Sequence, residues 1–445
     1  MDRHLLRYME SRAKNLAGLI LDEEAERVLV TRKKFGERAV QPGVDSDQAL
    51  VEMGGRRPRR AADSGIFAVL AASPVLIYSS LMSNLTDPTP AESNPTSEPT
   101  LEEAAWQHLD RKTMPPRALG ALERLAVRIA CLQGTLSPSL NKPVMLLAAG
   151  DHGVATRGVS FSPREVTWQH SLNLARGGGA TGLFCRLHGI DLMLCDVGVD
   201  HEFLPQDGIV DCKVTRGTRD LSQEPAMSLQ ECLAAMSWGR RKVAEVARAG
   251  SNVVLFGEMG IGNTTPASAL VAALTGLPLD QCVGAGTGMG PAALEHKRKV
   301  IQDALALHGP PSDPLEAMTC LGGLELAFMT GGALAAAEHG MLILLDGFIV
   351  TSSLLVASRM DPRVCRHIVA CHVSAEPAHR ACLQQMGLEP LLDLGMRLGE
   401  GSGAALAWPL VRAAVEMFNN MTSFSEGGVV DAVTPIQQAL AREGL

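Results

Sequence analysis

The sequence predicts an α/β fold, with a Rossmann-like, mostly parallel sheet covered by helices on both faces. The first observation is that short apolar runs alternate along the chain with longer stretches of helical periodicity. Such alternation is typical of parallel strands whose two faces are both buried by connecting helices. The second observation is the composition, because 44 glycines and only 4% aromatic residues in a 445-residue chain suit an α/β protein whose ligand sites are backbone loops.

The individual elements follow from these runs in chain order. The predicted strands are residues 144–149, 192–195, 253–256, 341–345 and 368–370. The predicted helices between and around them are residues 119–132, 165–176, 229–249, 292–307 and 323–338.

The first part of the chain differs from the rest in its residue composition. Residues 1–83 contain an arginine cluster and an apolar run at 66–82 that Pro74 interrupts. The run is short for a membrane span and lies far from the N-terminus, so we expect an extension of unknown role without stable membrane insertion. Residues 84–100 have the Pro, Ser and Thr content of a linker, and residues 101–445 form the predicted catalytic region. Met82, at this junction, is a candidate alternative start.

The net charge of the chain limits the classes of partner that we expect, and its cysteines limit the kinds of structural site. A formal net charge of -8 and a pI near 5.9 argue against a surface built for nucleic acid, and therefore favour small-molecule partners. The 10 cysteines form no CxxC pair, and no histidine cluster has zinc-ligand spacing. We therefore expect reduced thiols in a cytoplasmic protein, with neither a disulfide framework nor a metal site.

Acidic residues follow three of the predicted strands directly, each beside a glycine: Asp151, Glu258 and Asp346. Loops at the carboxyl ends of parallel strands meet at one crevice, so these loops predict a common binding site. The alternative is that each carboxylate only caps the next helix.

Glycine-rich segments occur at residues 257–266 and 284–290. Asn263, Thr264 and Thr265 precede a helix that Pro266 is expected to open, which provides donors suited to a phosphate. A GxGxxA match also begins at Gly288, but it lacks a convincing preceding strand, so coincidence is the favoured interpretation.

A third glycine cluster lies near the C-terminus. Glu400 stands between Gly399 and Gly401, and the cluster runs into a helix. Small neighbours leave such a carboxylate open to a substrate, and burial can tune it toward base behaviour. The alternative, on this pattern alone, is that Glu400 is an acid of the loop without a catalytic role.

Taken together, these segments resemble nicotinate-nucleotide:dimethylbenzimidazole phosphoribosyltransferases from about Leu109 to the C-terminus. The segments that carry the resemblance are AAGDHGVATRGVSFSPREVT from Ala148, FGEMGIGNTTPASA from Phe256, LEHKRKVI from Leu294, LLDGF from Leu344, VSAEP from Val373 and MRLGEGSGAALAWPL from Met396. The resemblance implies a six-stranded Rossmann-like sheet, a small helical domain built from both ends of the catalytic region, and a homodimer.

The resemblance also implies roles for single residues. Glu400 matches the family's proposed general base, and Glu258 and Lys297 match residues at the reaction centre. The implied substrate-binding residues are Asp151, His152, Ser162, His170, Gly260, Gly262, Asn263, Thr264, Thr265, Gly284, Gly286, Asp346, Ser374, Leu398, Gly399 and Gly401. Two departures stand out: the segment 114–120 lacks the family's lysine, one glycine and serine, and His170 falls where the family often carries a base-pocket glutamine.

The implied reaction transfers phosphoribose from nicotinate mononucleotide to 5,6-dimethylbenzimidazole or a related base, in the assembly of cobamides (vitamin B12). Departure of nicotinate from its cationic pyridinium needs no metal, so no metal and no cofactor are expected. Two alternatives remain open. A Rossmann oxidoreductase would need dinucleotide binding at residues 288–293, and a nucleotide sensor on the same scaffold would bind nucleotide without turnover.

Overall fold

The structure, a computed structural model, describes residues 99–284, 290–311 and 313–431. Its centre is a six-stranded sheet in which every ladder is parallel. The strands are β1 (Val144–Gly150), β2 (Asp191–Gly198), β3 (Val210–Asp211), β4 (Val253–Met259), β5 (Leu342–Leu345) and β6 (Ile368–Ala370). Their order is β3-β2-β1-β4-β5-β6, the Rossmann arrangement, with the order reversing between β1 and β4.

Fourteen α-helices occur in the described part of the chain. They are α1 (Leu101–Asp110), α2 (Ala121–Gln133), α3 (Val166–Ala175), α4 (Gly179–His188), α5 (Leu229–Arg248), α6 (Thr264–Thr275), α7 (Leu279–Cys282), α8 (Pro291–His308), α9 (Pro314–Leu321), α10 (Leu324–Glu338), α11 (Phe348–Met360), α12 (His379–Gln385), α13 (Ser402–Asn420) and α14 (Phe424–Gly427). Several boundaries follow from local chemistry. Ser228 and Glu231 form a capping box at the start of α5, and Asp313 caps α9, which has Pro314 at its first position.

The two faces of the sheet pack against different helices, because successive side chains of a strand point to opposite sides. Met145 and Leu147 of β1 belong to the same buried cluster as Trp408 of α13. Phe256 of β4 lies on the other side, where a Cβ at Gly332 of α10 would come within 2.9 Å of its ring. The helices on both faces are thus held by an alternating, fully buried core.

Both ends of the catalytic region meet in a helical subdomain. The ring of His108 in α1 lies 4.6 Å from that of Phe418 in α13, and its Nε2 is 2.8 Å from the Phe418 carbonyl oxygen. Backbone bonds join the following segments, with Thr113 N–H donating to Thr422 O at 3.0 Å and Phe424 N–H to Arg111 O at 3.0 Å. The small helical domain implied by the resemblance is therefore present.

Sequence periodicity located five of the six strands within a few residues, and residues 368–370 match β6. It missed β3, whose two residues are too short to show a pattern. It also missed several helices, including α4, α9 and α11. Helix α6 begins at Thr264, two residues before Pro266, which can sit in a first helical turn because no intrahelical acceptor is needed there.

The N-terminal extension and part of the second glycine-rich segment are not described by the structure. The extension and most of the linker, residues 1–98, lie outside the described residues, as do Gly286 and Gly288. Gly290 caps α8, and the last described element before it is the helix α7 rather than a strand. Among the described helices, none combines the length and apolar character that a membrane crossing requires.

Candidate active site

A cavity of about 320 Å³ lies at the carboxyl ends of β4, β5 and β6. Its volume is at the lower end of the range for small-molecule sites. Of the residues expected to form the site, those that line the cavity are Ser162, His170, Glu258, Gly260, Gly262, Asn263, Thr264, Lys297, Asp346, Ser374, Leu398, Gly399 and Glu400. The structure thus brings together all three expected catalytic residues and most of the expected binding residues.

Glu400 sits on a left-handed backbone. Its φ is 64°, and Gly399 and Gly401 on either side have φ values of 84° and 81°. A non-glycine residue in this region costs of order 1–3 kcal/mol, so surrounding contacts must hold it. Its side chain is only 11% exposed. The flanking glycines are therefore required by the chain path as well as by access to the carboxylate.

Asp346 anchors this segment from beneath. Its Oδ2 accepts a hydrogen bond from Gly401 N–H at 3.1 Å, and its Oδ1 accepts from Gly403 and Ala404 N–H at 2.7 and 3.0 Å. These donors belong to the N-terminus of α13, whose orphan amides favour a carboxylate. Asp346 therefore caps a helix, but one far along the chain rather than α11, which follows it directly.

Glu258 holds the same loop from the β4 side. Its Oε1 accepts the backbone N–H of Glu400 at 3.1 Å, and its Oε2 accepts the side-chain amide of Asn263. Burial raises the pKa of Glu258 well above its ordinary value, and the neighbouring charge of Asp346 raises it further. Both carboxylate oxygens of Glu258 are thus engaged within the protein.

The carboxylate of Glu400 is engaged on one side only. Its Oε1 lies 2.7 Å from Nε2 of His170, which α3 carries. Its Oε2 is buried and has no hydrogen-bond partner within the described part of the chain. The contact with Glu400 raises the pKa of His170, against an opposing effect of partial burial.

Lys297 supplies a buried cation at another wall of the cavity. The side chain projects from α8, is 1% exposed, and donates from Nζ to Thr264 Oγ1 at 2.7 Å. Burial lowers the pKa of Lys297 to about 8, with Glu376 opposing the shift. The N-termini of α6 and α11 also border the cavity, through Thr264 and Phe348. Two helix N-termini and an ammonium make this wall favourable to an anion.

Apolar side chains form the remaining wall. Val159, Val166 and Ile261 line it, and Phe161 and Leu398 stand there 68% and 48% exposed. A flat aromatic ring would be compatible with such a surface, beside the polar pair of His170 and Glu400.

Several cavity residues escaped the sequence analysis: Phe161, Ile349, His372, Glu376 and Arg397. Of these, His372 is buried, with Nε2 3.6 Å from Oδ1 of Asp346, and Glu376 lies inside the VSAEP segment, where only Ser374 was singled out. Their position in the sequence could have identified them, because His372 and Glu376 follow the carboxyl end of β6 just as Asp346 follows that of β5.

Five expected binding residues do not line the cavity, and Asp151 and His152 are two of them. Asp151 accepts the N–H of Asp200 at Oδ2, 2.8 Å away, so it ties the loop after β1 to the loop after β2. His152 is fully buried and pairs through Nε2 with Oε1 of Glu325 at 2.8 Å. It lies behind Gly260, where a Cβ would come within 3.2 Å of Nε2. Of the three acids that follow strands, only Glu258 and Asp346 therefore line the cavity, whereas the loop after β1 reaches it through residues 159–162.

The other three, Thr265, Gly284 and Gly401, lie just behind its walls. Thr265 is buried in the first turn of α6. A Cβ at Gly284 would collide with the carboxylate of Glu376, so this glycine makes room for a cavity residue. Gly401 donates its N–H to Asp346.

In the described ranges, no three His, Cys, Asp or Glu side chains are grouped so that they could hold a metal ion.

Comparison with known proteins agrees with this geometry. Residues 95–429 match a family profile described as phosphoribosyltransferase. A nicotinate-nucleotide:dimethylbenzimidazole phosphoribosyltransferase of Dechloromonas aromatica is 49% identical over 334 residues, which are 74% of this chain and 96% of that protein. The enzyme of the same name from Cupriavidus necator is 48% identical over 324 residues, 73% of this chain and 94% of its own length.

Solved structures give the same result. The crystal structure of CobT from Thermus thermophilus superposes with a TM-score of 0.73 at 44% identity, covering 75% of this chain and all 100% of that one. With a family profile that matches residues 95–429 and relatives of this identity and coverage, the chain belongs to the nicotinate-nucleotide:dimethylbenzimidazole phosphoribosyltransferase family.

Proposed function

We propose that this chain transfers phosphoribose from nicotinate mononucleotide to 5,6-dimethylbenzimidazole or a related base, releasing nicotinate and forming α-ribazole phosphate for cobamide assembly. The observation that carries the proposal is the state of Glu400. One oxygen of its carboxylate is held by His170, and the other, which has no hydrogen-bond partner among the residues that the structure describes, lies in a cavity lined by apolar side chains and by groups that favour an anion. This arrangement suits a ring that must lose a proton as it attacks a phosphorylated sugar.

In the proposed reaction, a ring nitrogen of the base attacks C1 of the ribose from the face opposite nicotinate. The C1–N bond to nicotinate breaks, and its electron pair neutralises the pyridinium nitrogen. The proton on the other ring nitrogen of the base passes to Oε2 of Glu400. Because the leaving group is neutralised as it departs, acceleration rests on this proton transfer and on holding the two substrates in line.

The anion-favouring wall is the proposed phosphate site. Lys297 and the N-terminus of α6 would contact the phosphate, and Ser374 and Gly347 also line the cavity. The pocket wall at Val159, Ile261 and Leu398 would hold the base. Glu258 and Asp346 are proposed as positioning residues, because their oxygens bind the backbone on either side of the Glu400 side chain.

We also propose that the protein is a cytoplasmic homodimer that needs neither cofactor nor metal, and that residues 1–83 and 84–100 are an extension and a linker before the catalytic region. Two exposed leucines one turn apart on α4, Leu183 and Leu187, are 53% and 69% exposed and are consistent with a protein contact. Sedimentation analysis of the purified chain tests the dimer, and a monomer at micromolar concentration would contradict it.

The deciding experiment incubates the full chain with nicotinate mononucleotide and a panel of benzimidazole bases and identifies products by mass. We expect α-ribazole phosphate and nicotinate in equal amounts, undiminished by EDTA, and no product when phosphoribosyl pyrophosphate replaces the mononucleotide. Tight binding of the nucleotide without product would contradict the enzyme and indicate a sensor. Loss of product with EDTA and recovery with magnesium would contradict the metal-independent reaction.

A further inference from the structure

The pair formed by His170 and Glu400 joins two elements far apart in sequence. Nε2 of His170 lies 2.7 Å from Oε1 of Glu400, and Nδ1 faces the side-chain amide nitrogen of Asn173 at 3.5 Å. An amide nitrogen only donates, so Nδ1 accepts and the hydrogen of the neutral ring is on Nε2. The imidazole therefore donates to Glu400, and Oε2 of the carboxylate stays unpartnered among the described residues.

Other charged groups near α3 are engaged elsewhere. Arg186 of α4 donates to the Gly177 carbonyl oxygen, and Asp196 of β2 pairs with Lys213 at 2.9 Å. Glu258 of β4 is occupied by Asn263 and the Glu400 backbone. The further titratable side chains that line the cavity are Lys297, Asp346, His372, Glu376 and Arg397. Glu400 is thus the charge that His170 contacts directly.

We infer that His170 is a positioning residue for the transfer: its Nε2–H fixes the Glu400 carboxylate so that Oε2 accepts the proton of the base, and its own protonation switches that acceptor off. This inference rests on the proposed function of Glu400 as the base. It goes further by assigning the orientation of the carboxylate, and the pH range of activity, to one side chain. An amide at position 170 would orient Glu400 in the same way but could not titrate.

The direction of the effect follows from the charges. An imidazolium beside Glu400 stabilises the carboxylate as an anion and so weakens it as a base. The same contact raises the pKa of His170 above 6.5, so the protonated pair already forms above that pH. Activity therefore falls on the acid side as His170 gains its proton, and this acid limb has its midpoint above 6.5.

The test compares kcat/KM for the base as a function of pH in the wild-type chain, His170→Gln, His170→Ala and His188→Gln, a control at the far end of α4. We expect His170→Gln to keep turnover within roughly threefold at about pH 8 and to move the acid midpoint to lower pH. His170→Ala should lose roughly ten- to a hundredfold in kcat, because the carboxylate is no longer fixed. His188→Gln should leave the profile unchanged.

A second arm needs no substrate. In protein labelled with ¹⁵N-histidine, the His170 signal is identified by its absence from His170→Gln, and its titration is followed in the wild-type chain and in Glu400→Gln. Loss of the carboxylate should lower the midpoint of His170 toward 6.5. An unchanged midpoint would overturn the pairing.

The outcomes separate the two proposals. If the wild-type chain turns over but His170→Gln shares its acid limb, or His170→Ala keeps its kcat, the role of His170 is overturned and the proposed function stands. If the titrations are coupled but the wild-type chain makes no product, the proposed function fails, and the role of His170 in transfer fails with it.

Discussion

The backbone N–H of Glu400 donates to Oε1 of Glu258 across 3.1 Å, although 142 positions separate the two residues. Glu258 and Glu400 are both buried, and through this bond the side chain of Glu258 supports the backbone of Glu400. Both carboxylate oxygens of Glu258 accept hydrogen bonds from groups of the protein, whereas Oε2 of Glu400 has no hydrogen-bond partner in the described structure. This asymmetry is the reason why we propose Glu400 as the proton acceptor and Glu258 as a residue that supports its loop.

Glu400→Gln tests the proton acceptor. We expect turnover to fall by about a hundredfold to ten-thousandfold, the usual contribution of a general base, because the amide keeps the shape but cannot take the proton. Melting temperature and nicotinate mononucleotide affinity should stay close to those of the wild-type chain. Near-normal turnover at saturating base would remove Glu400 as the acceptor and direct attention to Glu258.

Glu258→Gln tests the burial of the supporting acid through stability. The pKa of Glu258 in the folded protein is well above the ordinary 4.5, so the folded state binds its proton more tightly than the unfolded state does. Stability from this group is therefore lost as pH rises from 4.5 through the folded pKa. A glutamine cannot ionise, so the melting temperature of the variant relative to wild type should increase as the pH rises above 4.5.

Glu231→Gln is the matched control for that experiment, because its shift has the opposite sign. Arg219 holds the pKa of Glu231 down to about 2, so its stabilisation is complete above 4.5 and is lost only as pH falls toward 2. Its variant should therefore melt lower than wild type by a constant margin over the same pH range. A flat difference for Glu258→Gln as well would contradict the raised pKa.

Asp346→Asn tests the support beneath Glu400. Replacing an acceptor oxygen by an amide leaves a buried backbone N–H at the start of α13 unpaired, which should cost roughly 1–3 kcal/mol of stability. Because the same amides fix the Glu400 loop, kcat should fall together with the melting temperature. Asp313→Ala removes the cap of α9, whose Oδ1 accepts from Leu315 and Glu316 N–H at 2.9 Å. That control should lower the melting temperature alone, and equal effects of the two variants on kcat would contradict the supporting role.

Lys297 predicts a linkage between binding and protonation. With a pKa of about 8, the amine is largely neutral above that pH in the free protein, and an arriving phosphate favours the charged form. Binding of nicotinate mononucleotide should therefore take up protons at about pH 8.5 and fewer at about pH 7, measured by calorimetry in buffers of different ionisation enthalpy. Lys297→Met should abolish the difference. Lys299→Met, which removes an exposed lysine of the same helix, should preserve it.

A chain that starts at Met82 tests the proposed domain boundaries. The family match begins at residue 95, and the Dechloromonas enzyme is covered over 96% of its length by 74% of this chain. We expect the shortened protein to keep the melting temperature and kcat of the full chain. An insoluble or inactive product would show that the extension contributes to the catalytic unit.

The sequence by itself determined the fold class and the position of the site along the chain. Continuous apolar runs identified the long strands because burial on both faces leaves a local pattern, and the resemblance pointed to Glu258, Lys297 and Glu400, all of which line the cavity. The sequence also showed the glycines on both sides of Glu400, and we explained them by access to the carboxylate; that their backbone is left-handed, with φ values of 84° and 81°, is a finding of the structure.

Only the tertiary structure decided what those side chains do to one another. Asp346 caps α13 instead of the helix after it, Asp151 bonds to the β2 loop outside the cavity, and His170 meets Glu400 across 230 positions. Periodicity reports whether a residue is buried, but a hydrogen-bond partner depends on how the loops at the carboxyl edge are packed in space. That packing distinguishes Glu400 from the two acids that support its loop: both oxygens of Glu258 and of Asp346 accept hydrogen bonds, whereas Oε2 of Glu400 has no such partner among the described residues.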